Sequence, residues 1–226
     1  TLFYSGELNL KMGIMEIFKG ANEPMSIESF SSKNGRVNIL FNNDGIGNFD
    51  IALKNQEPTP EDTADSKPFA LSIKNYEIEN WKFVYFDQRS KMKVVIDQLN
   101  HHGSGDMAAS QLDLDTETSA NLTFIMDQTN FMNNVPLRLD AVLGMDLEKG
   151  KYTFKENKAT INQLELEFDG FAELLEEGQN IDIKFKTPTS SFKNFLGLIP
   201  EVYSGVLDGV KTSGEFSVAG FAKGML

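Results

Sequence analysis

The chain has 226 residues, 33 acidic against 21 basic side chains for a net charge of −12, two histidines and no cysteine. The missing thiols exclude a disulfide scaffold, thiolate metal centres and a cysteine nucleophile, and the acidic balance disfavours generic binding to nucleic acid or anionic membranes. At 40% hydrophobic and 24% charged the chain is globular, and one all-β domain of this length is ordinary. No apolar run approaches the ~20 residues that span a bilayer. The chain begins at Thr1 rather than Met. It is expected to be a processed piece of a longer protein, with an N-terminal targeting or membrane segment ahead of it. The absence of cysteine suits the bacterial periplasm.

The first segment alternates through Leu2, Tyr4, Leu8, Leu10, Met12 and Ile14, and ends at Ile17 and Phe18. Gly20 to Pro24 reads as a turn. Val37, Ile39 and Phe41 form a second strand, closed by Asn42 to Gly45, and Phe49, Ile51 and Leu53 a third. The period of two is the mark of half-buried strands. Residues 55–68 hold Pro58, Pro60 and Pro68 among acids and are expected to be a flexible loop, because they offer too little apolar surface to offset their ordering entropy. The loop divides an N-terminal β segment, residues 1–54, from a main β region, residues 69–226.

In the main region Phe69, Leu71 and Ile73 alternate, then Trp81, Phe83 and Tyr85, then Met92, Val94 and Ile96. Leu112 with Leu114, Leu122 with Phe124 and Met126, Leu137 through Leu143, Tyr152 with Phe154, Leu164 through Phe168, and Ile181 through Phe185 follow. Turn chemistry at His102 to Gly105, Glu148 to Gly150, Glu156-Asn157 and Glu177 to Asn180 separates them, so the pattern predicts an antiparallel meander of strands six to nine residues long. Helical spacing of Phe192, Phe195, Leu196 and Ile199 behind Ser190 or Ser191 predicts a short helix, with a second over Val202 to Leu207, forming a cap at about 190–208. The predicted fold is mainly β, a long, curved, trough-like antiparallel sheet with one or two short helices near the C-terminus.

Residues with chemical potential are few. His101 and His102 are adjacent, so on a strand they point apart, and no H-E-x-x-H spacing accompanies them. No nucleophile elbow, dinucleotide fingerprint or Walker sequence occurs. Glu165, Glu167 and Asp169 alternate with Leu164, Leu166 and Phe168, the pattern of a strand with one wet face rather than of a glycosidase pair. Asn121-Leu122-Thr123 fits a glycosylation acceptor, a pattern that arises often by chance. No catalytic residue, metal ligand or cofactor is assigned. What is abundant is apolar: 18 Phe and 9 Met, distributed strand by strand. Such strands pack on their own core or leave a groove open to acyl chains, each buried methylene being worth about 0.8 kcal/mol.

Asp44-Gly45-Ile46-Gly47-Asn48-Phe49-Asp50 resembles a motif of AsmA-family envelope proteins. The strand pair from Phe69 to Asp87 is similar to the one that follows it in that family. Thr187 to Pro200, Val210 to Phe216 and Gly220 to Gly224 resemble its Bacteroidota branch. The resemblance implies a periplasmic protein held in the inner membrane by an N-terminal helix and related to TamB- and YhdP-type bridge-like lipid transfer proteins. It also implies a hydrophobic β-groove carrying phospholipid toward the outer membrane, with no catalytic residues. On that basis Phe83, Tyr85, Phe124, Leu139, Leu166 and Phe185 are the expected groove-lining positions, and Asp44, Gly45, Asn48, Phe49 and Asp50 are structural. Expected partners are phospholipid or another acyl lipid, the inner membrane through the missing helix, and outer-membrane or envelope proteins. Two other readings stay open: a non-catalytic structural or protein-interaction β-domain with a closed core, and a carboxylate-pair enzyme acting on glycans.

Overall fold

A computed structural model describes residues 1–18, 25–49, 71–105, 111–175, 178–199 and 211–225. The chain opens with β1 (Phe3–Tyr4), β2 (Glu7–Met12), a 3-10 turn over Ile14–Phe18, β3 (Met25–Lys33) and β4 (Arg36–Phe41). The long strands follow: β5 (Leu71–Asp87), β6 (Met92–Ser104), β7 (Gln111–Met126), β8 (Thr129–Asp146), β9 (Lys151–Ile161), β10 (Leu164–Leu174) and β11 (Gln179–Lys186). Then come β12 (Ser190–Ser191), the helix α1 (Phe192–Leu196), β13 (Glu215–Phe216) and β14 (Ala219–Met225). Twelve strands form one sheet in the order β1-β4-β5-β6-β7-β8-β9-β10-β11-β14, with β2 and β3 alongside β5, while β12 and β13 pair separately. The fold is therefore mainly β, built on one long sheet, with a short helix near the C-terminus.

Several features depart from the sequence reading. The sheet is antiparallel from β5 to β14, but β3 and β4 both run parallel to β5. Parallel neighbours need a crossover of a dozen or more residues, and residues 42–70 supply that length. β3 itself had no strand signal, because Ser and Glu interrupt its apolar alternation. Ile14–Phe18 form a 3-10 turn in place of a strand end. The strands from β5 to β10 are longer than six to nine residues, β5 having 17 and β8 18, while β11 with 8 and β14 with 7 keep the expected length. Glu156-Asn157, expected to turn, lies inside β9. The loop at 55–68, the strand at Ile51 and Leu53, and the second helix at Val202 to Leu207 lie outside the described residues.

Two seams of irregular pairing cross the sheet. At the first, Asn34 and Asn80 take φ of 55° and 52°, and Gln98 on β6 takes 50°. Asn80 Nδ2 donates to Asn34 Oδ1 at 2.7 Å. Asparagine tolerates the left-handed region, and an extra residue bends a strand and sharpens its twist. The register stays unbroken across the seam, Lys33 facing Glu79 and Arg36 facing Lys82. Lys33 and Arg36 are three apart, so they share a face only because Asn34 interrupts the alternation. Trp81 seals this seam: its ring lies over Gly35, its Nε1 donates to the Ser32 carbonyl at 3.2 Å, and Phe3 packs on it at 5.5 Å.

The second seam crosses β8, β9 and β10, where pairing shifts between Asp140 and Val142 and between Phe168 and Gly170. Asn157, only 1% exposed, fills it, its Oδ1 accepting the Val142 N–H at 2.9 Å. β7 and β8 are joined by a tight turn, Asp127-Gln128, with φ of 45° and 69° at its two central residues. This mirror-image geometry matches the twist of the flanking strands. Ser191 starts α1 with an extended backbone but makes no side-chain capping bond. The helix is tied to the β9–β10 turn instead, Asn194 Nδ2 donating to the Gln163 carbonyl at 3.2 Å and Asn162 Nδ2 to the Gly197 carbonyl at 3.1 Å.

Candidate functional site

Residues directly opposite in register share a face, so the pairings sort the side chains without ambiguity. One row runs Leu10, Phe30, Tyr76, Gly103, Thr116 and Ala141, and beyond the second seam Asn157, Phe168, Phe185 and Gly220. It crosses ten strands, about 43 Å at ordinary strand spacing. Further rows on the same face are Val37, Phe83, Ile96 and Leu122, then Ile39, Tyr85, Val94 and Phe124. Leu139, Ala159 and Leu166 make another.

The register thus brings Phe83, Tyr85, Phe124, Leu139, Leu166 and Phe185 onto one face, each half-buried. Buried apolar side chains on this face are Trp81, Leu114, Ala120, Ala141, Ala159 and Leu164, several of them small and screened by larger neighbours. Among the described residues, every pair of elements in extensive contact is a pair of sheet neighbours, apart from α1 with β12. Among the described residues no second layer accounts for the half-burial of the face.

The opposite face is charged over most of the sheet; at the end of β5 it is apolar, where Val84, which is buried, and Phe86 sit beside Val95 and Ile125. A row there runs Glu77, His102, Glu117, Asp140, Lys158, Glu167 and Lys186. Ion pairs stitch neighbouring strands: Lys82 to Asp97 at 2.6 Å, Lys186 to Glu167 at 2.9 Å and Lys223 to Asp182 at 2.6 Å. Lys155 reaches Asp113 at 2.5 Å across β8, where Gly144 presents no side chain. The Lys186 ammonium holds the Glu167 carboxyl below its usual range, and Lys223 does the same for Asp182. A groove of about 1020 Å³ lies over β10, β11 and β14 between Glu167, Asp169, Lys184 and Lys223. A second, about 620 Å³, crosses β6 to β10 between His102, Glu117, Arg138 and Asp140. Both open on the charged face. Of the six lining candidates, Phe185 borders the first groove and Leu166 the second.

One polar chain is set into the apolar face. Tyr76 Oη bonds His101 Nε2 at 2.7 Å, and His101 Nδ1 bonds Thr118 Oγ1 at 2.8 Å. His102 points the other way, 3.6 Å from Glu117. The sequence offered no signal for this chain, since its members are 25 and 17 residues apart. Burial raises the Tyr76 hydroxyl, and burial with the neighbouring His102 holds His101 below the ordinary 6.5. The unfolded chain therefore takes up this proton first. The stability contributed by neutral His101 is present above pH 6.5 and is lost as pH falls from there toward the folded value. Thermal melts from pH 8 to 5.5 are expected to show that loss in the wild type and a smaller one in His101→Gln. Equal slopes would remove His101 from the account.

The residues from Asn42 to Phe49 act on β4. Asn42 Oδ1 accepts the Asp44 and Ile46 N–H groups at 2.9 and 2.8 Å, and Gly45 turns with φ of 78° beneath the Arg89 guanidinium. Asn48 substitutes for a strand, its Oδ1 accepting from Leu40 N at 3.1 Å while its Nδ2 donates to the Asn38 carbonyl at 2.8 Å. Phe49 packs edge-on against Phe41 at 5.6 Å. Asp50 lies outside the described residues. No group of metal-ligating side chains occurs among the described residues, and no described helix is long and apolar enough to cross a membrane.

No protein-family model matches the chain, and neither a curated protein nor a solved structure is significantly similar to it.

Proposed function

We propose that the chain is an AsmA-type envelope module that binds phospholipid acyl chains along its apolar face. It would work in the periplasm, within a protein anchored in the inner membrane, in outer-membrane lipid homeostasis or envelope assembly. The observation that carries this reading is the apolar face itself: rows of half-buried aliphatic and aromatic side chains, each crossing three or four strands and spread from β4 to β11, with no second described layer over them. An apolar surface of that extent on a soluble protein marks a binding surface. Acyl chains suit it because they need no directional partner, and the face offers few polar groups beyond Tyr76, His101, Thr116 and Thr118. The charged face, laced with ion pairs, would meet water.

The test is mass spectrometry of an organic-solvent extract of the purified chain, before and after incubation with liposomes, beside an unrelated acidic β-protein. Phospholipid or fatty acid at about one per chain or more is expected. Leu139→Asp and Leu166→Asp each put a carboxylate in the middle of the face, and each is expected to lower bound lipid at least about tenfold while leaving the circular dichroism of the sheet unchanged. A clean extract after liposome incubation would instead support the structural or protein-interaction domain.

A further inference from the structure

We propose that the outer edge of β2 is a homodimer interface, on which two copies of this chain pair antiparallel about a two-fold axis at Asn9. β2 is the last strand at its end of the sheet: it pairs with β3 and, among the described residues, with nothing on its other side. An unpaired edge presents a row of N–H and C=O groups to any strand that fits it. β1 and β2 share one register against β4 and β3, Tyr4 facing Arg36 and Glu7 facing Lys33, with a bend at Ser5-Gly6 between them, so they lie along the same edge.

The side chains of β2 complement themselves. A two-fold axis perpendicular to the sheet sets two β2 strands antiparallel and keeps both apolar faces on one side. Centred on Asn9, it places Glu7 opposite Lys11 of the other copy, twice, and Leu8 opposite Leu10, twice. Centring on Leu8 or Leu10 loses both ion pairs, and centring between residues sets apolar against polar positions. Leu8 and Leu10 lie on the apolar face yet are 57% and 51% exposed. Among the described residues no ion pair within 4 Å holds Glu7: its Oε1 accepts from Asn9 Nδ2 at 2.7 Å, and it faces Lys33 of β3, whose ammonium is engaged mainly by Glu79. Lys11 meets Glu28 at 3.0 Å with both groups in water, and remains free to be shared. The same axis carries the exposed Ile14 and Met15 of one copy toward the exposed Phe3 and Tyr4 of the other. On the opposite open edge, β14, the apolar-face positions are Gly220, Ala222 and Gly224, and its exposed Phe221 and Met225 lie on the other face.

The test uses the whole chain, without lipid, so its outcome is independent of the acyl-binding reading. Sedimentation over a concentration series is expected to show a species of twice the 25.2 kDa chain mass. Glu7→Lys and Lys11→Glu each set like charges face to face twice, and each alone is expected to weaken self-association at least about tenfold. Mixing the two variants is expected to restore a dimer, because one then offers two lysines and the other two glutamates. Asn9→Cys, in a chain with no other cysteine, is expected to form an interchain disulfide. Residues directly opposed in an antiparallel pair have Cα atoms about 4.5–5.5 Å apart, within disulfide reach. Lys223→Cys on β14 is expected to stay reduced. A monomer at every concentration, a dimer indifferent to both charge reversals, or cross-linking at 223 in place of 9 overturns the proposal.

Discussion

Gly35→Ala is expected to lower the unfolding free energy by about 2–4 kcal/mol and to shift the emission of the only tryptophan to the red. A Cβ at position 35 would stand 2.1 Å from Trp81 Cε2, so the indole has to leave its place. The displacement breaks the Trp81 bond to the Ser32 carbonyl and the contact with Phe3, and it uncovers the seam where β3, β4 and β5 bend together. Trp81 is 9% exposed, so the methyl cannot be accommodated by a swing into solvent without losing that burial. Urea unfolding followed by fluorescence measures both effects. An unchanged midpoint and an unchanged emission maximum would show that Trp81 does not seal the seam.

Asn157→Ala is expected to cost about 2–3 kcal/mol, because it leaves the Val142 N–H without its acceptor at a site closed to water and opens a small cavity. Asn157→Asp separates those two causes. It preserves the acceptor and the volume, and it removes the Nδ2 group that has no partner in the wild type. Its cost is the burial of a charge, which raises the folded carboxyl above the unfolded value of about 3.9. The penalty is therefore present at about pH 8 and is relieved as pH falls through the folded value, so this variant approaches the wild type near pH 5. If Asn157→Asp is as destabilised at pH 5 as at pH 8, the acceptor role is wrong.

The strand content was legible residue by residue where the alternation was clean. Leu112 to Leu114, Leu137 to Leu143 and Ile181 to Phe185 sit in strands as the period of two requires. Two kinds of position misled. Asparagines that turn a hairpin in one context bend a continuous strand in another, and a local pattern does not distinguish Asn157, inside β9, from Asn162, in the turn that ends it. β3 was invisible because Ser29, Ser31 and Ser32 occupy positions where burial comes from neighbouring strands; Ser32 is fully buried although its side chain is a hydroxyl.

Phe124, Leu139, Leu166 and Phe185 come from the apolar half of their own alternation, whereas Phe83 and Tyr85 alternate with Val84 and Phe86, so only the pairing of β5 with β6 places them on this face. The chain Tyr76–His101–Thr118 was not foreseeable, since hydrogen bonds between strands depend on register, and register is a property of pairs of segments.

By itself the sequence determined that this chain folds mostly as strands with one apolar side, carries no thiol chemistry and builds a short helix behind Ser191. Those properties follow from composition and from a period that each strand carries alone. Only the tertiary structure decided that β3 and β4 run parallel to β5, that two seams bend the strands, that the grooves open on the charged face, and that among the described strands β2 and β14 lie at the two edges of the sheet. Each of these depends on which segments meet and in what register. Backbone hydrogen bonds are the same for every candidate pairing, so the choice rests on side chains far apart in sequence, such as Trp81 over Gly35 and Asn157 beneath Val142.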